Sequence, residues 1–449
     1  MATQLETAAS FDVPAFAHEL AFDDLPENVV HAARRHLLDL IGVSASGRAT
    51  PLSRIIHDHA VRMFGGSSAR LLFDGRRASP AGAALAGGMT IDAIDAHDGM
   101  RDTKGHIGVA VLPALLAYHD DGFAMDDREF LTCFVLGYEI GTRAGIALHA
   151  SVPDYHTSGA WTCVAIAALG ARLMGLDREK TRHALGIAEY HGPRSQMMRC
   201  IDHPTMLKDG SGWGAMAGVS SAYLAADGFT GAPAITTEAD DLAHLWSDLG
   251  ATWYMTDQYV KPYPVCRWAQ PAVEATLQLQ RDHSIDAETI DVIEVATFHE
   301  ATRLAMRHPA DTEQAQYSLP FPVASALVKG TLGTAEITGD GLTDPVVARI
   351  SDAVRLSEDD ACNARFPAER LARAKVTLRD GQSFATDLVA ANGDPDDPFD
   401  DAFMKQKFHA LAAPITGAER AEAIDRAVNA LGTSNGDTDT LADLVLSPV

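Results

Sequence analysis

The sequence predicts a mainly α-helical protein in which a smaller α+β portion interrupts a large all-α domain. Three observations support this fold class. Apolar residues recur with a helical period through the first 230 residues, strand-like alternation begins only after about residue 285, and two amphipathic helical segments follow near the end. We therefore predict a helical domain over residues 1–267, an inserted α+β lid domain over 268–394, and C-terminal helices over 395–449 that complete the helical domain.

The helical prediction is most detailed in the first domain. Asp24 and Pro26 mark a helix start, because a capping residue is followed by a proline in the first turn. Apolar residues then recur with a helical period from Val29 to Ile41, and the pattern ends at Gly47. Further helices, rich in small residues that permit close packing, are predicted over residues 80–96, 109–120, 127–149, 158–174, 178–190 and 212–227.

The α+β prediction depends on a strand and a hairpin. Residues 290–297 alternate like a strand, and residues 375–378 and 383–386 form the two arms of a hairpin with a D-G turn at Asp380 and Gly381. The segment from Gly393 to Pro398 is typical of a linker. Further helices are predicted over residues 318–330, 344–355, 400–412 and 417–431.

Composition and charge exclude several classes of partner. The chain has 449 residues, is 47% hydrophobic, and carries 36 basic against 61 acidic side chains, which gives a net charge of −25. It can therefore bury a large core. Its negative charge argues against nucleic acid and against anionic membranes, which both attract basic surfaces. An anionic substrate would need a local cluster of cations.

The cysteines and the apolar segments point to a reducing compartment. Five widely spaced cysteines form no C-x-x-C pair and no zinc or iron–sulfur pattern, so we expect free thiols. The first sixteen residues lack the basic patch and apolar core of a signal peptide. The longest apolar run, residues 161–176, carries Arg172 and falls short of a membrane span. We expect a cytoplasmic protein.

Four polar segments stand out from otherwise small, apolar sequence. The chain contains no G-x-x-x-x-G-K-[ST], G-x-G-x-x-G, G-x-S-x-G or H-E-x-x-H motif, which leaves nucleotide-phosphate, serine-hydrolase and zincin chemistry without support. The remaining candidates for chemistry lie in residues 95–106, 155–159, 206–214 and 259–268.

The segment 95–106 links an alanine-rich helix to a hydrophobic one, a common place for catalytic side chains. A solvated loop with a capping aspartate is the alternative. A metal site is a second alternative, because Asp95, His97, Asp98 and His106 offer oxygen and nitrogen ligands, although at no standard spacing.

His156 opens the next apolar helix, where the helix dipole disfavours a cationic imidazole and keeps it able to accept a proton; the alternative is a histidine that only ends the loop. Lysines are scarce, eight against 28 arginines, yet Lys104, Lys208 and Lys261 all lie in the polar segments. A lysine offers a compact ammonium group with a tunable pKa, as an anionic substrate requires.

These segments resemble the MmgE/PrpD family in the right order along nearly the whole chain. Residues 36–42 resemble its first long helix, and residues 95–106 with V-L-P-A-L-L at 111–116 resemble its aspartate-rich loop, histidine and following helix. The helix start at His156 resembles its H-x-T motif. Residues 261–267 (K-P-Y-P-V-C-R) and 316–321 (Q-Y-S-L-P-F) resemble two further family segments.

The resemblance implies a helical domain with an α+β lid, a homodimer, and chemistry on small di- or tricarboxylates without a metal or organic cofactor. Carried over position by position, it indicates a set of site residues. The predicted catalytic residues are His106, His156, Asp95 and Lys208. The predicted substrate-binding residues are Lys261, Tyr317, His97 and Arg267.

The predicted reaction begins with proton abstraction next to a substrate carboxylate. Lys208 and Lys261 would stabilise the developing negative charge. A neutral His106 or His156 would take the proton, with Asp95 orienting the imidazole.

We predict a cofactor-independent lyase, foremost a hydro-lyase resembling 2-methylcitrate dehydratase. An epimerase or decarboxylase of a related acid, such as iminodisuccinate or cis-aconitate, shares the same intermediate and is the alternative. A non-catalytic carboxylate-binding protein is the alternative from another class.

One segment departs from the family pattern. Family members often read D-F-D-D-[ST], whereas residues 95–99 here read D-A-H-D-G. His97 thus replaces an aspartate and Gly99 replaces a hydroxyl residue. A histidine often found just after the cysteine segment is also missing here. We expect these changes to bear on the substrate more than on the reaction class.

Overall fold

The fold is described by a computed structural model over residues 12–123 and 125–449. The expectation that the chain lacks a signal peptide concerns residues that lie almost wholly outside this range. Helices dominate the described chain, and the larger sheet is confined to one smaller portion. The mainly α fold class with a smaller α+β part is therefore confirmed.

The first helical portion contains helices α1 to α11 and two short antiparallel ladders, β1–β2 and β3–β4. The helices are α1 (Val13–Glu19), α2 (Glu27–Arg48), α3 (Pro51–Met63), α4 (Pro80–Asp92), α5 (Gly108–Asp120), α6 (Asp127–Ser151), α7 (Gly159–Leu173), α8 (Arg178–His191), α9 (Met198–Asp202), α10 (Ser211–Ala226) and α11 (Ile235–Glu238). The strands are β1 (Ala69–Arg70), β2 (Arg77–Ala78), β3 (Gly99–Met100) and β4 (Gln258–Tyr259).

Glycines allow α10 to pack closely against both α4 and α7. A Cβ atom added to Gly88 of α4 would lie 2.6 Å from the Cα of Gly212 in α10. A Cβ atom added to Gly214 of α10 would likewise lie 2.6 Å from the Cα of Gly159, the first residue of α7. Neither approach is compatible with a larger residue. The close packing places the N-termini of α7 and α10 side by side, with their preceding loops in contact.

The α+β portion, which we call the lid, contains a five-stranded sheet covered by helices. Strand order is β6-β5-β7-β8, with β9 also pairing with β7. The pair β5–β6 is parallel and the other pairs are antiparallel. The helices are α12 (Gln270–His283), α13 (His299–Thr302), α14 (Thr312–Gln316), α15 (Pro320–Lys329), α16 (Pro345–Ala353) and α17 (Asp360–Arg365). The strands are β5 (Ile290–Thr297), β6 (Val354–Glu358), β7 (Leu371–Leu378), β8 (Ser383–Ala385) and β9 (Val389–Ala390).

The structure corrects the sequence prediction within the lid at two places. The helix predicted over residues 344–355 ends at Ala353, and residues 354–358 instead form β6, parallel to β5. Most of β6 is polar and exposed, and its only apolar residues are Val354 and Leu356, too few to distinguish a strand from the end of the preceding helix. The hairpin strand predicted from residue 375 begins four residues earlier, at Leu371.

The C-terminal helices are α18 (Asp401–Thr416), α19 (Ala418–Ala430) and α20 (Thr438–Leu446), of which α20 was not predicted. Helix α18 packs along α2, where Phe408 fills the space beside Gly42. The Lys407 ammonium forms an ion pair with the buried Asp39 carboxylate of α2 at 2.6 Å. The end of the chain thus completes the helical layer that the first helices begin.

Helix α6 is long and apolar enough to cross a membrane by length and composition. Its apolar window is 94% buried inside the protein, as is usual for a core helix.

Candidate active site

Loops that precede α5, α7, α10 and α12 meet at one buried place. The loop before α5 pairs with β4 through Gly99 and Tyr259. The backbone N–H of His106 donates a hydrogen bond to Ser158 Oγ at 2.9 Å, which joins the same loop to the start of α7. Ser158 Oγ in turn donates to the carboxyl group of Asp209, in the loop before α10. The four predicted polar segments are therefore neighbours in space.

A buried ion pair between Asp95 and Lys261 lies at the centre of the cluster. The exposed fractions of the two residues are 2% and 0%. The Lys261 ammonium donates a hydrogen bond to the Asp95 carboxylate. Burial alone would raise the pKa of Asp95, but Lys261 and Lys208 outweigh burial and hold this pKa below its ordinary value. Asp95 is therefore a carboxylate at neutral pH.

Gln316, at the end of α14 in the lid, connects this pair to Lys208. Its side-chain oxygen accepts hydrogen bonds from the Asp95 backbone N–H, at 3.1 Å, and from the Lys208 ammonium. The Lys208 ammonium also lies 4.7 Å from the centre of the Tyr317 ring, a cation–π distance. The backbone of Lys208 has a φ of +50°, in the left-handed region that non-glycine residues rarely adopt. Such strain persists where the surrounding contacts fix it, often at functional sites.

His106 is held as a neutral imidazole with a defined orientation. Its Nδ1 lies 2.6 Å from the backbone oxygen of Asp98. Because a carbonyl oxygen only accepts hydrogen bonds, Nδ1 carries the proton and Nε2 keeps its lone pair. Burial, with help from Lys261 and His97, lowers the pKa of His106 well below its ordinary value. The imidazole is thus a base that is already neutral at neutral pH.

His97 packs edge-on against His106, with the ring centres 4.3 Å apart. Its Nε2 lies 3.3 Å from the carboxylate of Asp92 and 3.9 Å from that of Asp95. Asp95, His97 and His106 offer ligand atoms within 4.8 Å of one another, so they could contact one metal ion. The Lys261 ammonium already occupies the Asp95 carboxylate, and Lys208 adds a second positive charge, which together disfavour a divalent cation.

The packing around position 99 leaves no room for a side chain, which explains the glycine there. A Cβ atom there would lie 2.4 Å from the Tyr259 hydroxyl and 2.7 Å from His106 Nδ1. Tyr259 therefore fills the space that a side chain at this position would need. Where the D-F-D-D-[ST] pattern has a serine or threonine, this chain has Gly99, and the Tyr259 hydroxyl lies close to it.

Comparison with known proteins identifies the family. Residues 12–249 match the model of the MmgE/PrpD N-terminal domain, and residues 263–433 match that of the MmgE/PrpD C-terminal domain. This chain belongs to the MmgE/PrpD family. The sequence resemblance is therefore confirmed.

Three curated relatives of this MmgE/PrpD chain carry related names. The cis-aconitate decarboxylase-like protein oryM of Aspergillus oryzae is 25% identical, over 94% of this chain and 94% of its own length. Cis-aconitate decarboxylase of Aspergillus terreus is 22% identical over 99% and 97%. Cis-aconitate decarboxylase of Mus musculus is 22% identical over 92% and 88%. The similarity thus extends over both domains.

Of the residues predicted for the site of this MmgE/PrpD protein, most are brought together. The buried cluster contains Asp95, His97, His106, Lys208, Lys261 and Tyr317. His156 is placed differently: it is partly exposed, its backbone N–H donates to His149 Nε2 at 3.1 Å, and its Nδ1 lies 3.2 Å from the Asp154 backbone oxygen. Within the described part of the chain, none of these His156 contacts is with Asp95 or Lys261.

Arg267 also lies apart from the ion pair, behind Tyr259. Its guanidinium group forms an ion pair with Asp394 at 2.8 Å and donates to the backbone oxygens of Ala391 and Asn392. It lies 4.7 Å from the centre of the Tyr259 ring. These contacts use Arg267 to hold the end of the lid against the site loops, and its role in substrate binding stays a prediction.

Sequence reasoning missed Gln316, Asp92 and Asp209 as members of the site. The Asp209 backbone N–H lies 3.3 Å from the Asp92 carboxylate, and burial together with Asp92 raises the pKa of Asp209. Asp209 therefore favours its protonated form beside the charged Asp92. Gln316 stands in the Q-Y-S-L-P-F segment and Asp209 follows Lys208, so both lay within recognised motifs. Asp92 lies at the end of α4, where nothing in the sequence marks it.

A cleft of about 460 Å³ leads from the surface to Lys208. Thr157, Gln196, Cys200, Leu207 and Trp213 line its walls. Arg199, His203 and Lys208 also belong to its lining, so the cleft offers cationic side chains to a small acid next to the buried cluster.

Proposed function

We propose that this chain is a lyase that acts on a small di- or tricarboxylic acid through a carbanion-like intermediate. The observation that carries the proposal is His106, a neutral imidazole held by the Asp98 carbonyl next to the Lys261–Asp95 pair. A neutral base and fixed cations in a buried place are what proton transfer next to a carboxylate requires.

The two lysines supply the electrostatic part of the proposed reaction. Removal of a proton, or of carbon dioxide, beside a carboxylate spreads negative charge onto the carboxylate oxygens. Lys208 and Lys261 are almost fully buried, so their positive charges are weakly screened by water. Their positions are already fixed by Gln316 and Asp95, so little reorganisation accompanies the reaction.

Decarboxylation of a cis-aconitate-like acid is the reaction we propose first. In this reaction the carbon–carbon bond to the departing carbon dioxide breaks, the electron pair stays on the remaining acid as a carbanion, and a proton from water, relayed through His106 Nε2, completes the product. The relatives that match over both domains bear the name cis-aconitate decarboxylase. At 22–25% identity they support the reaction class more strongly than the substrate. The hydro-lyase reaction predicted from the sequence stays a second candidate, since loss of a β-hydroxyl from the same intermediate uses the same base and cations.

The decisive experiment incubates the purified protein in D₂O with cis-aconitate, citrate, 2-methylcitrate and malate. Proton NMR would report carbon dioxide loss, enoate formation and deuterium uptake separately. We expect at least one acid to be converted, and His106→Asn to lower its turnover by about 10²–10⁴-fold. The matched control is His299→Asn, an exposed lid histidine paired with Glu358, which should stay within about threefold of the parent protein.

Two outcomes would contradict the proposal. One is the absence of conversion and of deuterium uptake for every acid, which would favour a carboxylate-binding protein. The other is a His106→Asn variant that is as active as the His299→Asn control. A third variant, His156→Asn, separates the two predicted bases, and we expect it to retain more activity than His106→Asn because His156 lies outside the buried cluster.

A further inference from the structure

A buried arginine next to the first residue of β7 has donors that no described residue satisfies. Arg370 is 2% exposed and donates one hydrogen bond, from Nη2 to the backbone oxygen of Arg101 at 3.1 Å. Its Nε and Nη1 have no acceptor among residues 12–123 and 125–449. Leaving a buried guanidinium without an anion is costly, and the cost is usually offset by a partner.

A second unpaired cation, Lys104, faces the same place from the loop before α5. Its ammonium lies 4.4 Å from the centre of the Tyr155 ring and forms no ion pair within the described part of the chain. Burial and the charge of Arg370 both lower the pKa of Lys104. Its backbone φ is +52°, in the left-handed region. The Lys104 backbone N–H and Arg370 Nη2 donate to the same backbone oxygen, that of Arg101, at 3.2 and 3.1 Å, so the two cationic residues are neighbours.

The neighbouring acids do not neutralise this pair. Asp394 is bound by Arg267 at 2.8 Å, and Asp396 is bound by Arg101 at 2.8 Å. The remaining acids near Lys104 are Asp102 and Glu300, which attract it without direct contact. The Glu300 carboxylate accepts a hydrogen bond from the Tyr155 hydroxyl. Of the charged groups at this junction, the Arg370 and Lys104 cations are the ones that form no ion pair within the described residues.

His149 adds a neutral donor beside Lys104. Its Nε2 accepts the backbone N–H of His156, so its proton is on Nδ1, which has no acceptor among the described residues. Burial and Lys104 lower the pKa of His149 to about 4, so the ring is neutral at neutral pH. The N–H groups of Arg370 and His149 that lack an acceptor within the described chain, together with the Arg370 and Lys104 cations, form a site that suits an anion.

The anion site is separated from the proposed base by one aromatic ring. The guanidinium of Arg370 lies 5.8 Å from the centre of the Tyr259 ring. The same ring centre lies 6.3 Å from that of His106. Tyr259 is therefore a common neighbour of the Arg370 guanidinium and of the His106 imidazole.

We propose that Arg370 and Lys104 bind a carboxylate group of the substrate that is remote from the reacting carbon. This inference rests on the proposed function for its substrate class. Arginine suits the role because its planar donors match a carboxylate, and Lys104 adds charge beside it. Because Arg370 belongs to the lid and Lys104 to the helical domain, a bound carboxylate would also hold the two portions together.

The test compares the parent protein with Arg370→Met. We expect the KM of the converted acid to rise about tenfold to hundredfold, with kcat changed less, since loss of a hydrogen bond to a charged group has that size. Thermal unfolding adds a readout that turnover does not supply. Citrate should raise the Tm of the parent protein but not of Arg370→Met, and without citrate the variant should unfold no earlier, because an unpaired buried charge has been removed.

Lys375→Met in the same strand, an exposed lysine paired with Glu294, is the matched control and should behave like the parent protein. Lys104→Met is the second variant and should also weaken citrate binding, which keeps the test valid if Arg370→Met does not fold.

The outcomes separate this site from the proposed function. If the parent protein converts none of the acids but citrate raises its Tm and does not raise that of Arg370→Met, the proposed function is refuted and this site is kept. Unchanged KM and citrate stabilisation in both variants would overturn the site and keep the function. Inorganic phosphate that stabilises as strongly as citrate would overturn its assignment to a substrate carboxylate.

Discussion

Breaking the Asp95–Lys261 pair from either side should destabilise the protein by different amounts. Both residues are almost fully buried, and removal of one partner from such a pair costs about 3–5 kcal/mol because the other charge is left uncompensated. In Lys261→Met, Asp95 still faces Lys208 and His97, so we expect a loss near 3 kcal/mol. In Asp95→Asn, Lys261 keeps only neutral oxygens from residue 95, the amide oxygen and the backbone oxygen at 3.4 Å, and loses its carboxylate partner, so we expect a loss near 5 kcal/mol.

The double variant decides whether the pair serves stability or chemistry. With both charges removed, no buried charge of this pair is left alone, and the free energy of unfolding should fall by no more than about 2 kcal/mol from that of the parent protein. Activity should nevertheless remain at least about a hundredfold lower in all three variants, because Lys261 is absent from two of them and has lost the carboxylate that positions it in Asp95→Asn.

Urea unfolding followed by circular dichroism, together with turnover of the converted acid, measures both quantities on the same preparations. The reasoning would be refuted by single variants as stable as the parent protein, or by a double variant that loses about as much as the two single variants combined. Either result would mean that the two charges are not coupled in the folded state.

Three further predictions concern the same cluster. Because burial and Lys261 lower the pKa of His106 below 6.5, the basic form persists as the pH falls, so a pH profile of kcat/KM should be level from pH 8 to 6.5 and decline only at lower pH; a decline centred above pH 6.5 would contradict this assignment. Gln316→Leu should lower kcat by about tenfold to a hundredfold, because Lys208 loses the acceptor that positions it; Gln314→Leu in the same helix is the control, and equal rates for the two would refute the role. EDTA dialysis should leave activity unchanged, whereas restoration of lost activity by a divalent ion would favour a metal at Asp95 and His97.

The helical framework could be predicted from sequence because its signals are local. Helix α2 was predicted from a 3.6-residue period and is observed over Glu27–Arg48, although Pro26 itself is the N-cap and Asp24 belongs to the turn before it. The strand β6 could not be predicted in this way. It is stabilised by parallel pairing with β5, a long-range interaction, while its own residues are mostly polar and exposed.

The sequence indicated which loops form the site, but it did not indicate the direction of every side chain in those loops. Asp95, His106 and Lys261 converge because their loops lie at neighbouring helix ends, and spacing along the chain indicated those loops. Side-chain direction was not indicated: Arg267 follows the lysine loop closely, yet it turns toward Asp394 and the end of the lid. Asp92 was missed because the last turn of an apolar helix carries no motif.

The hydrogen bonds of Gln316 have a consequence for any motion of the lid. It is part of the lid, whereas the two groups that bind its amide oxygen, at Asp95 and Lys208, belong to the helical domain. A hinge motion wide enough to admit a tricarboxylate would detach both at once. The Lys208 ammonium would then regain its hydrogen bond to Gln316 only after the lid closes again, so the arrangement of this cation would depend on closure.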